Sequence, residues 1–163
     1  MTVAKISKQP RAAGPLAKDF NLDDYALYNL VRTSATYNEV MAAALKRYQL
    51  DTAKWRILIL LDHKAPQSVG ELSRRSVTRM PTLTRILDRM ENDGLIKRQH
   101  MSEDKRVVEI VMTADASETL NIVRSIGQKV FEAAFDGISE KEIDQLVSTL
   151  KKVRNNLDRS PYE

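Results

Sequence analysis

The sharpest periodicity in the chain lies between Thr82 and Glu91. Leu83, Leu87 and Met90 recur on one face of a helix, and Thr82, Arg85 and Arg89 recur on the other. The pattern stops at Asn92-Asp93-Gly94, where glycine suits the left-handed position that ends a helix. It then runs into the basic segment Ile96-Lys97-Arg98. A helix with one packing face and one polar, cationic face has the shape and chemistry to enter a DNA major groove.

The rest of the chain resolves around that segment. Residues 1–20 carry Pro10, Gly14 and Pro15 with scattered lysines and arginines and no sustained apolar period, which predicts a basic arm. Asn21 is a candidate N-cap for a long helix to about Tyr48, with Asp23 and Asp24 in its first turn. Its apolar stripe starts at Tyr25, Tyr28 and Val31 and resumes at Val40, Met41, Ala44 and Leu45, while 32–38 is polar for a buried helix. A second helix after Asp51 is expected to bury Trp55, Leu58, Ile59 and Leu61. Ser68-Val69-Gly70-Glu71 matches a capping box, so a short helix over about 69–75 is predicted, followed by a tight link and the amphipathic helix with Pro81 in its first turn.

Ile96–His100 and Arg106–Met112 alternate like two strands, with Ser102-Glu103-Asp104-Lys105 as a polar hairpin tip. Two further helices are predicted over about 114–136 and 140–158, the second opened by the capping box Ser139-Glu140-Lys141-Glu142. Ile143, Leu146, Leu150, Val153 and Leu157 form its seam, the spacing of a helix that packs along another helix. Helix–turn–helix followed by a basic hairpin is the order of a winged helix-turn-helix.

Charge sharpens this picture. The net charge of +4 is unevenly placed. Residues 1–18 carry Lys5, Lys8, Arg11 and Lys18 and no acid before Asp19, residues 73–106 carry nine basic and five acidic groups, and the remainder sums to −4. Positive charge focused on two segments points to a polyanion. Cysteine is absent, which excludes disulfides and thiolate metal sites. No apolar run approaches the roughly 18 residues of a membrane span, and no apolar signal core opens the chain, so a cytoplasmic protein is the expectation. His63 and His100 stand 37 residues apart in sequence without clustered carboxylates, which argues against a metal sensor. No nucleophile–base motif, phosphate loop or dinucleotide fingerprint is present, so neither catalytic residues nor a cofactor are predicted.

Four segments together resemble the MarR family of bacterial transcriptional regulators: Trp55-Arg56-Ile57-Leu58 after Leu50; Glu71-Leu72-Ser73; Thr84-Arg85-Ile86-Leu87-Asp88-Arg89-Met90-Glu91 with Gly94-Leu95-Ile96; and Asp104-Lys105-Arg106 with Met112-Thr113. The resemblance covers about residues 22–158. One departure is the turn Ser76-Val77-Thr78-Arg79, more polar than the family usually shows. The implied fold is mainly α: a winged helix-turn-helix lobe over 51–113 with its small β-wing, and a helical dimerisation lobe from 21–50 and 114–160, all within one MarR-type domain spanning 21–163.

The resemblance implies a homodimeric regulator of double-stranded DNA, most often a repressor released from a palindromic operator by a small-molecule effector. Thr82 and Thr84 are candidate contacts near the start of the reading helix. Arg85 suits a guanine edge or a phosphate, and Arg89 suits phosphate. Ser68, Arg74 and Arg79 are candidate contacts around the supporting helix, and Arg98, Lys105 and Arg106 on the wing. Arg106 either stiffens the hairpin through Asp104 or is aimed by it into a narrow minor groove. Effectors of the family are often aromatic carboxylates or other lipophilic anions held between the dimer base and the DNA-reading lobe. Tyr25, Tyr28, Tyr37 and Trp55 are candidate effector contacts and equally helix-packing core, and Arg32 is a candidate carboxylate partner or an ion pair with a second subunit. Two alternatives remain open on sequence: a winged-helix module that binds an acidic protein, and a DNA-binding regulator with no small-molecule effector.

Overall fold

The computed structural model describes residues 14–100 and 107–159, so the wing tip with Asp104, Lys105 and Arg106, most of the basic arm and the last four residues lie outside the described residues. The described elements are a 3-10 turn Leu22–Asp24, α1 Ala26–Lys46, α2 Thr52–His63, β1 Gln67–Ser68, α3 Val69–Ser76, α4 Met80–Asn92, β2 Ile96–His100, β3 Val108–Met112, α5 Ala116–Ala134 and α6 Glu140–Leu157. The fold is mainly helical, with one small antiparallel sheet in the order β1-β3-β2. Two compact units are distinguished, one ending at Trp55 and the other beginning at Arg56. Among the described residues, no helix is long and apolar enough to cross a membrane.

In the first unit the chain does not enter one continuous helix at Asn21. Asn21 caps the 3-10 turn, its Oδ1 accepting from the Asp23 amide at 3.1 Å. Tyr25 is then extended, and α1 begins at Ala26. The Asn29 amide supplies the reason: its Nδ2 donates to the carbonyls of Asp23 (2.6 Å) and Tyr25 (3.1 Å), satisfying acceptors that an unbroken helix would have paired internally. Met41 and Leu45 are buried, whereas Leu27, Leu30, Val31 and Val40 remain exposed.

In the second unit the apolar period of α4 does what the sequence predicts. Leu83, Ile86, Leu87 and Met90 are buried together with Ile57, Leu58 and Leu61 of α2, Leu72 of α3, Leu95, Ile96 and Ile110. Trp55 and Ile59, expected on the buried face of α2, are only part-buried, and Ile57 takes their place. The N-terminal half of α5 adds Ala116, Leu120, Val123 and Ile126. A two-point Arg124–Asp62 fork (2.9 and 2.6 Å) joins α5 to α2. α6 is closed at its start by the predicted capping box, and the Ser139 hydroxyl and amide hold the Glu142 carboxyl below the usual carboxylate range. No residue of α6 is buried.

β1 was not expected. It pairs Gln67 with Ile110 and Ser68 with Glu109, and two residues are too few to show any alternation. Gln67 is nonetheless fully buried, because its side chain is satisfied on both sides. Nε2 donates to the carbonyls of Leu60 and Lys64 (2.5 Å each), and Oε1 accepts from Arg75 at 2.9 Å.

The turn between α3 and α4 holds a strained residue. The Thr78 amide bonds to the Ser73 carbonyl (3.1 Å) and the Val77 amide to that of Arg74 (3.3 Å), the Schellman arrangement that requires a left-handed residue. Gly94 fills that position after α4 with φ +72°. After α3 it is filled by Val77, at φ 54° and ψ 41° and 90% exposed. A β-branched side chain there costs roughly 1–2 kcal/mol, and its exposure means that no packing offsets the cost. Val77→Gly is therefore expected to stabilise the protein by about 1 kcal/mol after the entropy of the freer unfolded chain is subtracted. That would raise the thermal midpoint by roughly 2–4 °C. An unchanged or lowered midpoint would show that the valine makes a contribution the turn geometry does not reveal.

Candidate nucleic-acid interface

α4 carries the candidate reading face. The same period that buries Leu83 and Leu87 leaves Thr82, Thr84, Arg85, Asp88 and Arg89 exposed. A shallow depression of about 410 Å³ runs along this side, lined by Thr82, Arg85, Ile86, Asp88 and Arg89. Arg79 is the exposed N-cap residue of α4 and makes no side-chain capping bond, so the amides of the first turn are left for an outside acceptor. Thr84 Oγ1 donates to the Met80 carbonyl at 3.0 Å, so its hydroxyl proton is held by the helix and its oxygen can only accept further bonds.

α3 presents two more of the predicted residues. Ser68 is its N-cap, accepting from the Glu71 amide at 3.2 Å, which leaves the hydroxyl proton for another acceptor. The carboxylate of Glu71 lies 3.9 Å from Lys64 Nζ. Arg74 is exposed in the last turn of α3. Its neighbour Arg75 turns inward to Gln67, and Arg56 donates to the Ser76 carbonyl at 3.3 Å, so both brace the helix-turn-helix from behind.

The wing strand β2 pairs with β3 from Ile96↔Met112 to His100↔Val108. Ile96 is buried and Lys97 exposed, as the strand period requires. Arg98 does not project freely. Its guanidinium spans two carboxylates of α4, with Nη2 at 2.6 Å from Asp88 Oδ1 and Nη1 hydrogen-bonded to Glu91 Oε2, while its own backbone amide donates to Glu91 Oε1 at 3.0 Å. Burial alone would lower the affinity of this guanidinium for its proton; the Asp88 and Glu91 carboxylates outweigh that and push it above the usual arginine range. Sequence reasoning placed Arg98 among the DNA contacts and missed Asp88 and Glu91 as its partners. The available signal was an acidic pair three residues apart on an otherwise cationic helix.

Of the aromatic candidates, all within the first unit, Tyr37 and Trp55 stack edge to face with centroids 6.1 Å apart. Arg32 lies over the Tyr28 ring at 5.7 Å, and Tyr25 meets Phe20 edge to face at 5.7 Å. Trp55 Nε1 is buried with no hydrogen-bond partner among the described residues. No group of three or more metal-ligating side chains occurs among the described residues.

Comparison with known proteins places this geometry. The MarR family model matches residues 50–108. The chain is 30% identical over 146 residues to the HTH-type transcriptional regulator SarZ of Staphylococcus haemolyticus, covering 89% of this chain and 98% of that protein. It is 28% identical over 144 residues to the HTH-type transcriptional repressor IacR of Pseudomonas putida, covering 88% and 86%. The crystal structure of a MarR-family transcriptional regulator from Silicibacter pomeroyi superposes with a TM-score of 0.76 at 27% identity, over 83% of this chain and 92% of that one. Extent and level of likeness together are decisive: the chain belongs to the MarR family of DNA-binding transcriptional regulators and is not an enzyme.

Proposed function

We propose that this regulator acts as a homodimeric repressor, covering an imperfectly palindromic operator and leaving it when a small lipophilic, anionic effector binds. The observation that carries the DNA half of this reading is the exposed side of α4, where Thr82, Arg85 and Arg89 stand over a fully apolar underside. Arg85 would read a base edge, and Arg89, Arg74, Arg79 and the Ser68 hydroxyl would hold phosphates, with Lys105 and Arg106 extending the contact from the wing tip.

Dimerisation is supported by apolar surface that one chain leaves uncovered. Leu146, Val147, Leu150 and Leu157 on α6, Phe131 on α5, and Leu27, Leu30 and Val31 on α1 are all exposed. Patches of this extent on a soluble chain mark a partner surface. The effector half is supported by the orphaned Trp55 indole N–H beside Tyr37 and by Arg32 over Tyr28. A buried donor and a cation among aromatic rings match the two ends of an aromatic carboxylate.

Selection of bound sites from random duplexes, followed by affinity measurements over a salt series, tests the DNA reading. Enrichment of a dyad-symmetric motif whose log affinity falls linearly with log salt is expected. Enrichment of no motif would refute it. Aromatic carboxylates that raise the thermal midpoint should then release the selected duplex, since a ligand shifts the equilibrium only by binding the two states unequally.

A further inference from the structure

We propose that Arg98 is a positioning residue that fixes the wing against the reading helix and so sets the sequence selectivity of the interface, without itself touching DNA. This rests on the proposed DNA reading of α4. Three contacts cross from β2 to α4 at this one residue: both guanidinium nitrogens and the backbone amide. Each carboxylate sits on the turn of α4 that follows Arg85, with Asp88 immediately before Arg89 and Glu91 two residues after it. The fork therefore grips the helix at the level of its phosphate-facing end and fixes its rotation relative to the strand. A planar guanidinium spanning two acids imposes direction as well as attraction, which an ammonium cannot do. The Arg98 side chain is only 29% exposed, and its donors already face protein acceptors, so little of it is left to meet a phosphate.

Charge gives this proposal a sign that a direct contact would not share. Asp88 and Glu91 are two negative charges on a face meant for a polyanion. If Arg98 were a phosphate contact, or merely masked those acids, removing them would leave selectivity intact and tighten binding to every duplex. If Arg98 positions α4, removing them frees the helix and lowers selectivity even though the face becomes more positive.

The experiment compares wild type, Arg98→Ala, Arg98→Lys and the double variant Asp88→Asn/Glu91→Gln on a site selected by the wild type and on a random duplex, over a salt series. All three variants are expected to lower the ratio of selected-site to random-duplex affinity by about tenfold or more, and to keep the wild-type salt slope. Loss of about one unit of slope in Arg98→Ala, the mark of a lost phosphate contact, would overturn the proposal. So would full rescue by Arg98→Lys, or a wild-type ratio in the acid-free variant. Thermal unfolding of each variant checks that it is folded, and Glu91→Gln alone, an isosteric change, carries the same test if Arg98→Ala is not. A wild type that prefers no duplex would count against the DNA reading and not against the fork.

Discussion

Arg85→Ala is expected to abolish operator discrimination almost completely. A side chain bonded to one base edge contributes about 1–3 kcal/mol of selectivity. In a two-fold dimer the change is made twice, so the selected site should lose about 2–6 kcal/mol, at least roughly thirtyfold in affinity. Affinity for random duplex should fall far less, and repeat selection should show the preference relaxed at one base pair in each half-site. Arg85 is exposed and has no part in the α4 core of Leu83, Ile86, Leu87 and Met90, so the thermal midpoint should barely move. A uniform loss across all sequences with a flatter salt dependence would instead assign Arg85 to phosphate.

The second large effect is expected on α6. Leu146 and Leu150 stand one turn apart on the same face, 45% and 38% exposed within a single chain. Glutamate at both positions leaves the fold of one chain little changed, because neither side chain is part of its core. Across a dimer interface the same pair would place four charges against apolar surface. Each lost leucine contact forfeits about 1.5–3 kcal/mol, and burying an unpaired carboxylate adds to that. Leu146→Glu/Leu150→Glu should therefore raise the dimer dissociation constant by more than about a thousandfold. Sedimentation should then give a species near 18.5 kDa. Operator binding should collapse with it, because two half-sites held by one dimer gain from an effective concentration that two separate chains lack. A double variant that stays dimeric and binds normally would move the interface to another face.

Much of this architecture is written in local patterns. The period of α4, its stop at Gly94 and the capping box of α6 are short-range signals, and each forms as the sequence predicts. The seam of α6 was legible as a packing face because its leucines and valines recur at helical spacing, even though nothing in one chain covers them. What the sequence concealed depends on distant residues. β1 is a strand only because Gln67 and Ser68 lie opposite Ile110 and Glu109, more than forty positions on. Gln67 reads as a surface residue until Leu60, Lys64 and Arg75 are seen to satisfy its amide.

Arg98 shows the same limit within the candidate site. A basic residue on a basic wing reads as a DNA contact, and only the packing of β2 on α4 reveals the two carboxylates that hold it. Val77 is the converse case. Its turn was recognised as a tight link, but no rule of composition places a valine in a left-handed conformation, and only the backbone bonds from Val77 and Thr78 disclose it.

Hydroxyl-radical footprinting on a selected duplex tests the central claim most directly. Two reading helices presented by a two-fold dimer should protect two patches related by a dyad, their centres about 10–10.5 base pairs apart on one side of the duplex. A single asymmetric patch, or protection with no defined phase, would contradict it.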